Sequence, residues 1–76
     1  MIRKVKREQY ARIVGQFGRD GETHRSNLIE MYDRSVVQWI RISDNAVVAQ
    51  AVYMRIPAEL SSVTYWVRDD AMESLP

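Results

Sequence analysis

A chain of 76 residues with 46% hydrophobic side chains and a formal net charge of +1 has the makeup of one small globular domain. It has no cysteine, which excludes a disulfide framework and a thiolate metal site. No apolar run nears the roughly 18 residues of a membrane-spanning helix, and MIRKVKREQY lacks the apolar stretch of a secretory signal, so the expected compartment is the cytoplasm.

Charge is unevenly placed. Residues 1–19 hold Arg3, Lys4, Lys6, Arg7, Arg12 and Arg19 against Glu8 alone, and the remainder is net acidic, ending in Asp69, Asp70 and Glu73. Ile2 and Val5 suit a short opening strand. Tyr10, Ile13, Val14 and Phe17 then recur at i, i+3, i+4 and i+7, the stripe of an amphipathic helix, and the charged residues before them start that helix near Arg7. Gly15, inside the helix at a cost of roughly 1 kcal/mol relative to alanine, is expected to mark close packing on a sheet. Gly18 suits the helix end, with Arg19-Asp20-Gly21 as the loop. A second, shorter helix is predicted from Glu22 or Thr23 to Tyr32, because Arg25, Leu28, Ile29 and Tyr32 repeat the same spacing.

The stretch SVVQWIRISDNAVVAQAVYMRI, from Ser35 to Ile56, reads as a long hairpin about Asp44-Asn45, residues that tolerate the positive φ of a tight turn. A two-residue loop sets Ser43 opposite Ala46, Ile40 opposite Ala49 and Trp39 opposite Gln50. One face then carries Val36, Ile40, Ile42, Val47, Ala49, Ala51 and Tyr53. The other carries Val37, Trp39, Val48, Val52, Met54 and Ile56, interrupted by Arg41 and Gln50. Both faces are more apolar than a half-solvated sheet needs, and little chain is left for a second covering layer. Pro57 stops the ladder, residues 57–62 form a loop, and VTYWVR from Val63 to Arg68 is a third strand of the main sheet. The tail from Asp69 has no strong period and is expected to fray over residues 70–76.

Chemistry-bearing constellations are sparse. His24 is the only histidine and stands without the partners zinc requires, so it reads as a surface residue. Asp69-Asp70 reads as a solvated acidic pair rather than a cation site. Gly15, Gly18 and Gly21 span a helix end, not the start of a helix after a strand, and make no dinucleotide fingerprint. Phosphate contacts by Arg3, Lys4, Lys6, Arg7 and Arg12 are the basis of a nucleic-acid reading, ranked below protein binding because overall basicity is slight and core packing accounts for the aromatics. No catalytic, cofactor-binding or metal-binding residue is assigned.

MIRKVKREQYARIV, the hairpin SVVQWIRISDNAVVAQAVYMRI and SVTYWVRDD together resemble the N-terminal half of the GNAT-type N-acetyltransferases: first strand and helix, central hairpin, and fourth strand. The likeness covers most of this chain and about half of a family domain. It implies an acetyl-CoA site in a glycine-rich, basic loop after the fourth strand. Here that place holds Asp69-Asp70-Ala71-Met72-Glu73-Ser74-Leu75-Pro76, with three acids and no glycine, and Ala49 stands where many members have glycine. Carboxylates repel a pyrophosphate, so no cofactor carries over. The half of the family fold that holds the usual catalytic residues has no counterpart in the likeness, so no catalytic residue does either.

The expected architecture is α+β: one domain over residues 1–76, with a three- to four-stranded, mainly antiparallel sheet and one or two helices packed on one face. The expected function is non-enzymatic protein binding, in the manner of small phage-encoded inhibitors that occlude a host enzyme. The predicted contact surface is Val37, Trp39, Arg41, Val48, Gln50, Val52 and Met54. It serves a protein partner or a homodimer, with no membrane involved. The alternatives are a truncated acyl-CoA-binding acetyltransferase completed by dimerisation, and nucleic-acid binding through the basic N-terminal segment.

Overall fold

A computed structural model describes residues 1–19, 22–55 and 62–73. Its elements in chain order are β1 (Ile2–Val5), α1 (Arg7–Arg19), β2 (His24–Glu30), β3 (Arg34–Arg41), β4 (Ala46–Met54), β5 (Val63–Arg68) and α2 (Asp69–Glu73). The strands form one sheet in the order β1-β5-β4-β3-β2, with every neighbouring pair antiparallel. Strands β2 to β5 follow one another as a meander, and β1 closes the far side by pairing with β5.

The apolar stripe of α1 lies on the sheet. Tyr10, Ile13 and Phe17 are buried with Val48, Ala49, Ala51, Val67 and Ala71, while Val5, Val14, Trp39, Ala46, Tyr65 and Met72 pack around them. Alanines at the centre of β4 let the helix approach, and larger rings fill the flanks. Tyr10 meets Tyr65 with ring centroids 4.8 Å apart, and Phe17 stacks on His24 at 4.0 Å. Burial pushes the Tyr10 phenol above its ordinary pKa, an effect that the neighbouring Trp39 indole partly offsets.

Several expectations need correction. The segment predicted as a second helix is strand β2, paired along its whole length with β3 from His24↔Arg41 to Glu30↔Ser35. Helix preference over so short a segment is weak, particularly with Ser26 and Asn27 in it, and a full ladder on β3 outweighs it. The sheet therefore has five strands rather than three or four. Asp69–Glu73, where no period was read, is a short helix whose Ala71 is buried. The rest of the tail expected to fray over 70–76, residues 74–76, lies outside the described residues. The loop over 57–62 and Ile56 lie, apart from Ser62, outside the described residues, as do Asp20 and Gly21.

Another correction concerns register. The hairpin loop runs over four residues, Ile42 to Asn45, with Arg41 opposite Ala46 and the Asn45 N–H donating to the Arg41 carbonyl at 2.8 Å. Asn45 alone takes the left-handed conformation, with φ of 58°. Compared with the two-residue loop, this moves the pairing by two positions and leaves Ile40 and Val47 on one face. A bulge between Trp39 and Ile40 then moves it back by one, leaving a net shift of one: Ile40 pairs with Val47 but Trp39 with Ala49, and Val48 is the extra residue. A one-residue slip exchanges faces. Beyond the bulge, Val37 and Trp39 therefore join Ala49, Ala51 and Tyr53 on the helix side.

Gly15 does not mark a close approach. A Cβ built there meets nothing within 4 Å, and the residue is exposed. Its substitution removes backbone freedom from the unfolded chain at no steric cost. Gly15→Ala should raise stability by about 0.5–1 kcal/mol, checked by the midpoint of urea unfolding.

Candidate functional site

The seven residues predicted as a contact surface fall on two faces. Val37, Trp39, Arg41 and Val48 lie on the helix side, where Val48 is fully buried and Trp39 packs 5.9 Å from the Phe17 ring. Gln50, Val52 and Met54 lie on the opposite face. The mirror set is divided too: Ile40 is on the open face and buried, Ile42 is in the hairpin loop, and Tyr53 is on the helix side and exposed.

No described element lies over the opposite face. Its rows follow from the register. Asn27, Gln38, Gln50, Trp66 and Lys4 run across all five strands as successive cross-strand neighbours. The Asn27 amide donates to the Gln38 side-chain oxygen at 3.3 Å. On one side of this polar row lie Ile29, Val36, Val52 and Thr64, followed by Arg34 and Met54; on the other lie Arg25, Ile40 and Val47, with Ile2 and Arg68 at the β1 end. Val36 and Ile40 are buried; Ile29, Val47, Val52, Met54 and Trp66 are half-buried. The result is a low aliphatic floor crossed by amides.

The charges on this face have one sign. Its strand positions carry Lys4, Arg25, Arg34 and Arg68 and no carboxylate. Arg34 has Asp33 at 3.6 Å and Arg68 has Asp70 at 3.3 Å, both from segments flanking the strands. Lys4 on β1 and Arg25 on β2 make no ion pair among the described residues, so an uncompensated cation stands on each edge strand. Sequence reasoning missed Lys4, Arg25, Asn27, Gln38 and Trp66 as members of one surface. The signal for two of them was alternation in HRSNLIE, where Arg25 and Asn27 share one strand face with Ile29.

Arg41 belongs to a separate construction at the hairpin end. It donates to both Asp44 oxygens, at 2.9 and 2.6 Å, and to Asp70 at 3.3 Å, tying the loop to α2. Asp44 also accepts the Ala46 N–H at 3.2 Å. The Arg41 guanidinium, helped by that N–H, holds the Asp44 carboxyl down to about 2 from an ordinary 3.8. Because the folded-state value is depressed, the stabilisation is complete above the ordinary carboxylate pKa and is lost as pH falls through about 2. An NMR titration of the Asp44 carboxyl carbon should show this low midpoint, and Arg41→Gln should return it towards 3.8.

Near the same end a cleft of about 470 Å³ is lined by Glu22, Thr23, His24, Arg41, Ile42 and Ser43. His24 Nδ1 lies 2.9 Å from the Thr23 hydroxyl and its ring is sandwiched against Phe17, so the imidazole is part of the packing. Among the described residues no three His, Cys, Asp or Glu side chains converge as metal ligands, and no helix is long and apolar enough to cross a membrane. Comparisons with protein families, curated proteins and solved structures give no match. The acetyltransferase likeness accordingly rests on the sequence patterns alone. The segment after β5 opens α2 with two carboxylates, Asp69 held by Arg3 at 2.7 Å and Asp70 held by Arg41 and Arg68. Those ion pairs already engage the local arginines.

Proposed function

We propose that this chain is a non-enzymatic protein-binding module that occludes its partner, seating the open sheet face on a protein surface whose apolar patch is flanked by carboxylates. The observation that carries this reading is the open face itself: an aliphatic floor, a row of amides, four cations and no carboxylate on its strand positions. Five strands at roughly 4.8 Å spacing make a surface about 20 Å across, wide enough to seat a helix of about 10 Å diameter. Burying the floor drives association, and the cations at the edges select an acidic rim and speed encounter. Single-stranded nucleic acid fits less well, because it stacks on aromatic platforms and Trp66 is the one aromatic residue at the face's strand positions.

The test compares capture of a partner by the wild-type chain, by Lys4→Glu/Arg25→Glu on the open face and by Arg12→Glu on the exposed side of α1. The reading requires a partner that the double variant loses, that Arg12→Glu keeps, and whose binding weakens with salt. A partner retained equally by both variants overturns it. Calorimetry with acetyl-CoA should show no saturable binding; micromolar binding would instead support the acyl-CoA reading. Tight, salt-dependent binding of a single-stranded oligonucleotide, lost in the double variant, would replace the protein partner with nucleic acid.

A further inference from the structure

We propose that the outer edge of β2 pairs antiparallel with the same strand of a second copy, joining two five-stranded sheets into one. This surface is the sheet edge, which borders the open face at Arg25 and Ile29, and it does not rest on the reading of that face. β2 is a terminal strand of seven residues, HRSNLIE, with no proline, and no described element lies alongside its outer edge. The other terminal strand, β1, has four residues, two of them Arg3 and Lys4, the shortness and charge by which sheet edges are ordinarily guarded. β2 lacks that protection where it matters most: Leu28, on its helix-side face, is 59% exposed beside Val37.

The ladder to β3 fixes which backbone groups face outward. Met31 N–H donates to the Arg34 carbonyl and Ile42 N–H to the Thr23 carbonyl, so the odd-numbered residues of β2 bond inward, to β3. His24, Ser26, Leu28 and Glu30 therefore turn their N–H and C=O groups away from the sheet. A two-fold axis through Asn27 sets His24 opposite Glu30 of the second copy, Ser26 opposite its Leu28, and Arg25 opposite its Ile29. Outward groups then meet outward groups along the full strand, same-face residues meet same-face residues, and no like charges face each other. A one-residue slip breaks both matches, and a two-residue slip leaves five of the seven residues paired (seven less two). The self-pairing has one full-length register.

Such a pair is closed by its own symmetry and leaves both open faces accessible, with Arg25 and Ile29 of each copy at the joint. Sedimentation equilibrium of the full chain should show a concentration-dependent monomer–dimer equilibrium that stops at two copies. Ser26→Pro removes an outward N–H and spares the ladder to β3; it should give a monomer with unchanged circular dichroism. Leu28→Lys, a charge on the edge, should do the same and serves if the proline perturbs folding. A wild-type chain that stays monomeric at every concentration, or folded forms of both variants that still dimerise, overturns the proposal. A monomeric wild type that still captures a partner through the open face overturns this inference alone.

Discussion

Phe17→Ala should cost about 3–5 kcal/mol of folding stability, a large share of the roughly 5–15 kcal/mol that holds a small domain folded. The ring is 5% exposed and joins three parts of the molecule: the α1 stripe, the His24 imidazole of β2 stacked on it, and the Trp39 indole of β3. Its loss opens a cavity between helix and sheet that neighbours fixed by the β ladders cannot collapse to fill. The measurement is the urea unfolding midpoint, followed with tryptophan fluorescence in a Trp66→Phe background, where the Trp39 emission should shift red as water reaches the indole. An unchanged midpoint would mean that α1 does not cover the sheet through this ring.

Ala49→Leu should destabilise by about 1–3 kcal/mol, through excess volume rather than a void. Ala49 has no exposed surface, lies between Trp39 and Val67 as cross-strand neighbours, and sits in the core cluster beneath α1. The bulge at Val48 has already delivered a second side chain to this spot, so three more carbons must lift the helix or force poor rotamers. The next residue supplies the contrast. Gln50 is on the open face, and Gln50→Leu should leave the unfolding midpoint nearly unchanged. If both leucines are tolerated alike, the bulge does not divide the faces as described.

These two residues also show how far the sequence alone could be read. The α1 stripe was legible because all four residues at the helical spacing, Tyr10, Ile13, Val14 and Phe17, are apolar, and the β3–β4 hairpin because β-branched runs flank Asp44-Asn45. Loop length and bulge position were not legible. Asp44-Asn45 suits a two-residue loop as well as the end of a four-residue one, and nothing in VVAQ announces an extra residue. The longer loop preserved the faces and the bulge exchanged them, so the predicted contact surface combined Trp39, a core residue, with Val52 and Met54 of the open face. β2 was lost for another reason: Arg25, Leu28, Ile29 and Tyr32 satisfy the helical period, and the edge of β3 that recruits this segment is a tertiary feature.

The pairing of β1 with β5 has a consequence for how the chain acquires its shape. Ile2 lies opposite Arg68, and the Asp69 N–H donates to the Met1 carbonyl at 3.0 Å. The meander β2–β5 can assemble from contacts close together in sequence, but β1 and the foot of α1 have no lasting place until the last strand exists. During synthesis β1 and α1 must therefore wait, the Tyr10, Ile13 and Phe17 stripe unsatisfied, until β5 has followed. Closing so long a loop is the entropically slow step. Folding from denaturant should therefore be slower in the original chain than in a circular permutant that joins the two ends and opens the α1–β2 connection.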